Sequence, residues 1–198
     1  MAVQSLMIAQ RIVAASGGGT TFDPAKKGAN AVLSSSNSVL DTSSSTATAL
    51  TVAGYTTGKH YFEFLVNLHT DQMYIGIARA GGATDLNSDL GQEAGEYSWA
   101  SSGNSYFAGS FGAVSGTAYG AGDAVGVAVD FALRRLWIHV NGTYIRGNPS
   151  TNTTPIVTYV TGLGTIFAAA SVSATSDRVT CRLPADFGYS IPTGFTAG

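Results

Sequence analysis

The chain of 198 residues is expected to fold as an all-β protein, a two-sheet antiparallel sandwich with little helix and an N-terminal arm. Three observations carry that expectation. From Asp123 to Phe131, the residues Val125, Val127, Val129 and Phe131 alternate with Ala124, Gly126, Ala128 and Asp130, a period of two that sends the bulky side chains to one face of a strand. Leu136, Ile138 and Val140 alternate in the same way with Trp137 and His139, and Asn141-Gly142 follows as a pair suited to the positive backbone dihedrals of a tight hairpin turn. Elsewhere, short apolar runs are separated by Ser-, Thr-, Asn- and Gly-rich stretches.

Met1 to Ser16 is an apolar stretch with no basic region at its start and with Gln10-Arg11 interrupting it, which argues against a secretory leader. Its Leu6, Met7, Ile8, Ile12 and Val13 need cover, each large side chain being worth about 1.5–3 kcal/mol when buried. Either the arm packs on its own sandwich or it docks on a partner subunit, and Gly17-Gly18-Gly19 behind it, a flexible hinge, favours docking. The chain therefore divides into an arm with its hinge, residues 1–19, and a sandwich domain, residues 20–198. Ser34 to Asn37 and Asp41 to Thr46 read as turns between short strands. Thr48 to Val52 and Lys59 to Asn67 read as strands. In the second, Tyr61 alternates against Phe62 and Phe64, so it is expected to be covered on both faces or to meet the arm. Tyr74 to Ala78 is a short buried strand, Arg79 to Ser110 has no firm periodicity, and Thr143 to Ile145 should return antiparallel. Asn148 to Thr154 is polar surface, Ile156 to Val160 is β-rich, and Pro192 to Gly198 is a loop-like tail.

Charged residues make up only 11% of the chain, so solubility rests on Ser, Thr, Asn and Gly, a surface suited to a larger assembly or to neutral ligands such as sugars. The net charge of −2, with Lys26-Lys27 and Arg134-Arg135 as the paired cations, gives no footprint for nucleic acid. No segment approaches the ~20 apolar residues of a membrane span. Cys181 has no intrachain partner and reads as a buried structural thiol. His60, His69 and His139 lack metal-ligand spacing, and no phosphate-binding glycine loop is present, so neither a metal nor a cofactor is expected.

The ordered set Gly122-Asp123, Val125 to Val129, Asp130, Leu136 to Val140 and Asn141-Gly142 resembles the signature of a SPRY domain. Gly58 to Glu63 is similar to the family's early aromatic strand, Tyr74 to Ala78 to its following apolar strand, and Phe167 to Val172 to its penultimate strand. Phe187-Gly188-Tyr189 is similar to its close, with Arg178 to Leu183 and Phe187 completing the sheets. The likeness spans Phe22 to Phe195 and implies a concanavalin-like jelly roll. The opening from Phe22 to Asn30 resembles SPRY domains encoded by bacteriophages, and the arm resembles those that open many small tail and virion proteins.

By the same resemblance, Arg79 to Ser110 supplies part of a variable loop surface. It gathers Asp85, Asn87, Asp89, Glu93, Glu96, Trp99 and Tyr106, a set in which aromatics offer stacking platforms and carboxylates and amides accept from ligand hydroxyls. Tyr97 and Tyr106 also fit the family's own core, and Trp99 fits either role. Calcium at Asp85, Asn87 and Asp89 lacks the turn glycine and terminal Glu of such loops. The reading is a non-enzymatic virion component of tail-fibre, tail-tip or head-decoration type. It would be a homo-oligomer docked on other virion proteins through residues 1–16, and its loops would bind a host-surface glycan or protein. A purely structural virion subunit is the alternative. A glycan-cleaving enzyme using Glu93 and Glu96 is the third.

Overall fold

The computed structural model describes residues 20–79 and 86–198. Sixteen strands and two single-turn 3-10 helices make up the regular structure of the described residues, arranged as two facing, almost wholly antiparallel sheets. The arm residues Leu6, Met7, Ile8, Ile12 and Val13, and Asp85, lie outside the described residues.

The first sheet runs, in spatial order, β1 (Phe22–Lys27), β4 (Ala47–Tyr55), β14 (Ile166–Val172), β6 (Met73–Arg79), β7 (Glu96–Ala100), β8 (Asn104–Phe107) and β9 (Ser110–Ser115). The second runs β12 (Thr143–Tyr144), β11 (Arg135–Val140), β10 (Ala124–Asp130), β5 (Lys59–Leu68), β15 (Arg178–Cys181), β3 (Val39–Thr42) and β2 (Ala31–Ser34). Two short strands add to it: β13 (Val157–Thr158) pairs with β11, and β16 (Thr196–Ala197) pairs parallel with β5.

The central hairpin follows its sequence pattern. β10 and β11 pair from Val125 opposite Val140 to Asp130 opposite Arg135, and Asn141 and Gly142 both take positive φ, 50° and 80°. Val125, Val127 and Val129 join Leu136, Ile138 and Val140 in the core between the sheets. There they meet Ile75, Ile77, Trp99, Ala168 and Ala170 from the first sheet. The thiol of Cys181 lies in the same core, and burial pushes its pKa up to about 12.

Both outer faces are covered as well. On the second sheet, Tyr61, Ala128 and Trp137 pack with Phe187, Ile191 and Phe195 of the C-terminal segment. The two-sided pattern of β5 is thus explained, and its outer cover comes from residues 187–195. The tail expected as loop contributes β16 beneath this cover. On the first sheet, Leu50, Tyr74, Ala78, Phe167 and Ala169 lie under Leu90, with Leu86 beside them. The stretch from Arg79 to Ser110 contains β7 and β8. Their alternation was obscured because β7 is buried on both faces, with Tyr97 and Trp99 inward and Glu96, Ser98 and Ala100 under the cover. Of Ile156 to Val160, only Val157–Thr158 is strand, because Tyr159 and Val160 leave the sheet toward a turn. No helix of the described residues is long and apolar enough to cross a membrane.

Candidate functional site

Three of the six described residues expected to contact ligand, Asn87, Asp89 and Glu96, instead hold the segment 86–95 in place. Asn87 Oδ1 accepts the Ala29 N–H at 2.8 Å, and Asp89 accepts from Thr46 Oγ1 at 3.4 Å and Ser173 Oγ at 3.3 Å. Glu96 is buried, and its Oε2 accepts the backbone N–H groups of Gly91 at 2.9 Å and Glu93 at 3.1 Å. Ser98 Oγ reaches the Leu90 carbonyl, and Thr48 holds the carbonyls of Leu86 and Ser88, each at 2.8 Å. A cover with exposed backbone ends would lift off its sheet, so polar side chains from beneath tie it down. Glu96 as half of a carboxylate pair is thereby corrected: its carboxylate is sealed in and engaged by backbone donors.

Trp99 requires a correction too. Its side chain is 0% exposed, and its indole N–H donates to the Thr117 carbonyl at 2.8 Å. The ring belongs to the core between the sheets, with no face open for a ligand to stack on. Glu93 and Tyr106 remain partly exposed, Tyr106 tilted on Tyr74 and edge-on to Phe111 at 5.5 Å between centroids. Among the described residues, no group of three or more His, Cys, Asp or Glu side chains could hold a metal ion.

A concavity of about 270 Å³ lies elsewhere, at one end of the sandwich. Three turns line it: Thr56 between β4 and β5, Phe131 and Arg134 between β10 and β11, and Tyr159 to Gly164 ahead of β14. Asp130 shapes the second turn, accepting the Leu133 N–H at 3.0 Å and pairing with Lys59 at 3.2 Å, while Arg134 takes a left-handed φ of 54°. Burial raises the Tyr159 phenol pKa, and its buried Oη has no hydrogen-bond partner. Val160 at the rim is 59% exposed. The Val160 N–H donates to Tyr97 Oη at 3.4 Å, tying the rim to the first sheet. Sequence reasoning missed this site because its lining comes from turns about a hundred residues apart. The available signal was Val160-Thr161-Gly162-Leu163-Gly164, where two glycines flank an apolar residue directly after a strand.

The SPRY domain family model matches residues 59–182, from the start of β5 past the end of β15. The chain belongs to the SPRY domain family. Its fold is similar to the crystal structure of the SPRY domain of human HERC1, with a TM-score of 0.65 and 15% identity, covering 81% of this chain and 96% of that one. No curated protein sequence matches the chain. SPRY domains are β-sandwich modules that typically mediate protein–protein interaction.

A buried polar chain joins the two ends of the SPRY-matched segment. Glu63 on β5 is fully buried and accepts from Arg182 Nη1 at 2.6 Å, Tyr61 Oη at 2.8 Å, and the N–H groups of Gly188 at 2.7 Å and Tyr189 at 3.1 Å. His139 Nδ1 accepts the Gly142 N–H at 3.0 Å, so the ring proton sits on Nε2 and is donated to Tyr61 Oη at 2.8 Å. Gly126 makes room for this, since a Cβ there would lie 1.9 Å from His139 Nε2. The chain ends at Glu63, whose carboxylate is engaged by Arg182 and two backbone N–H groups. Its geometry serves to anchor the C-terminal cover.

Burial lowers the His139 pKa to about 4, outweighing the nearby Glu63 charge, which raises it. The unfolded chain takes up this proton near its ordinary 6.5, the folded chain near 4, so the unfolded state binds more protons between those values. Stability from this site is fully present above pH 6.5 and falls as the pH drops toward 4, by about 3 kcal/mol. Urea midpoints measured at pH 7, 5.5 and 4.5 should decline accordingly, and His139→Gln should flatten that decline. An unchanged pH slope in the variant would assign the loss to other groups.

Proposed function

We propose that this SPRY domain is a non-enzymatic recognition module that binds a protein ligand in the concavity formed by Phe131, Arg134, Tyr159, Val160 and Leu163. The observation that carries the reading is the pairing of an unpartnered, buried Tyr159 hydroxyl with an exposed apolar rim at Val160. A polypeptide ligand supplies both complements, an apolar side chain for the rim and a backbone carbonyl for the phenol. Arg134 at the same wall adds a cation for a ligand carboxylate.

Panning the full-length protein against a displayed peptide library should return binders whose affinity falls at least tenfold with Val160→Asp at an unchanged melting temperature. Binders indifferent to Val160→Asp would move recognition away from this end of the sandwich. Glycans retained by the wild type and lost with Glu93→Gln or Tyr106→Ala would instead favour the 86–107 surface for a sugar ligand.

The finer setting we propose is a bacteriophage virion, with the apolar arm of residues 1–16 docking on the particle and the sandwich facing a host surface. Its support is the sequence: the phage-like opening from Phe22, the glycine hinge, and a charged fraction of only 11%. Saturable binding of the full-length protein to intact host cells, weakened by Val160→Asp, separates this reading from a purely structural virion subunit, which would not bind them.

A further inference from the structure

The chain enters the described structure toward the end of the sandwich that holds the concavity. Thr20 lies beside β4: its Oγ1 accepts the Ala53 N–H at 2.9 Å, and the Thr21 carbonyl accepts the Val52 N–H at 2.8 Å. β1 pairs antiparallel with β4, so followed backward from Phe22 it runs toward Tyr55 and Thr56, and Thr56 lines the concavity. On the other side of β4, Ile166 of β14 stands opposite Tyr55 and lines the same concavity. That wall is two strand spacings from β1, about 10 Å. Val13 stands seven residues before Thr20 and Leu6 fourteen, lengths that reach at most about 25 and 50 Å when extended. The apolar part of the arm is therefore long enough to lie in the concavity, with Gly17-Gly18-Gly19 to make the bend.

The two surfaces also match in chemistry. Val160 at the rim is 59% exposed, and Leu133, next to the lining residue Arg134, is 43% exposed. The buried Tyr159 hydroxyl finds no hydrogen-bond partner among the described residues. Outside the described residues, positions 80–85 read Ala-Gly-Gly-Ala-Thr-Asp and offer no large apolar side chain, whereas the arm offers Leu6, Met7, Ile8, Ile12 and Val13.

We propose that the arm segment Leu6 to Val13 occupies the concavity of its own domain and leaves it when the arm docks on a partner subunit. The inference rests on the reading of the concavity as a recognition site. Arm side chains cover the rim, and an arm backbone carbonyl accepts from Tyr159. A tether this short holds the segment at an effective concentration on the order of millimolar, so weak contacts suffice to fill the site. Residues 1–19 contain no Asp or Glu, so the arm brings Arg134 no carboxylate, and an acidic peptide has the advantage in displacing it. Recognition is thereby coupled to assembly: the concavity is filled in the free subunit and open in the docked one.

Disulfide trapping in the full-length protein tests the contact. Cys181 does not interfere, because this single native cysteine is buried and its pKa is pushed up to about 12. Ala9→Cys with Thr161→Cys spares every apolar residue of arm and rim, and should close an intramolecular disulfide on mild oxidation. Ala9→Cys with Leu68→Cys is the control, since Leu68 is exposed at the opposite end of β5 from Lys59. Ile12→Asp should cut the Thr161 yield about tenfold, and should tighten peptide binding at the concavity about tenfold by removing a competitor. Ile8→Asp is the second variant should Ile12→Asp fail to fold. Equal trapping at Thr161 and Leu68 would overturn the proposal, as would trapping indifferent to both aspartate variants. A disulfide formed only between two copies would overturn it in favour of a second molecule's arm. Peptides that bind the wild type and Ile12→Asp equally, with no trapping at Thr161, would overturn it while leaving the recognition site standing. Specific trapping with no peptide bound even by Ile12→Asp would uphold the arm contact and overturn the recognition of outside ligands.

Discussion

Glu63→Ala is expected to destabilise the protein by about 3–5 kcal/mol, the range for removing one partner of a buried ion pair. Four donors converge on this carboxylate: the Arg182 guanidinium, the Tyr61 hydroxyl and the N–H groups of Gly188 and Tyr189. Alanine leaves them all without it, and Arg182 is only one-fifth exposed, too little for water to compensate its charge fully. The loss should therefore be concentrated in the outer layer. Urea denaturation measures the total, and hydrogen exchange should show the Gly188 and Tyr189 amides opening first. The double variant Glu63→Leu with Arg182→Met should recover much of the deficit, because an apolar pair leaves no buried charge behind. A loss under about 1 kcal/mol would mean that the cover is held by Phe187, Ile191 and Phe195 alone.

Trp99→Ala should cost a similar 3–5 kcal/mol, since it removes a large, fully buried ring and leaves a cavity between the sheets. The Thr117 carbonyl loses its indole donor as well. For a chain of this length, the melting temperature should fall by roughly 6–20 °C. Ligand binding at the Tyr159–Val160 concavity should persist wherever the variant is folded. The opposite pattern, weakened binding at an unchanged melting temperature, would return Trp99 to the role of a surface platform.

What the sequence conveyed and what it concealed divide along a physical line. The run from β10 through β11 to β12 was legible because its signal is local: alternation fixes which side chains face inward, and Asn141-Gly142 fixes the turn from β11 into β12. β7 was hidden because it lies between the core and a cover, so Glu96 and Ser98 look like solvent-facing polar residues although both are buried. The same reason misdirected the choice of binding residues. An acid in an irregular stretch looks available to a ligand, yet Asn87, Asp89 and Glu96 are engaged by backbone and hydroxyl donors of the sheet and its cover. Nothing near Glu63 in sequence announces Arg182 or Gly188, and nothing near Thr56 announces Tyr159. Partnerships of that range are set by topology, and the eye following a single chain has no access to them.

The long span of the Glu63 contacts also sets a clock for biosynthesis. Its partners Arg182, Gly188 and Tyr189 lie 119, 125 and 126 residues downstream. At about 5–20 residues per second, a ribosome delivers them roughly 6–25 s after Glu63 itself. Throughout that interval β5, the middle strand of the second sheet, has neither its outer layer nor its β15 neighbour. The nascent chain must therefore keep its most aromatic strand from straying while it waits, and the carboxylate at the strand's centre, still ionised in water, is a built-in deterrent to premature burial.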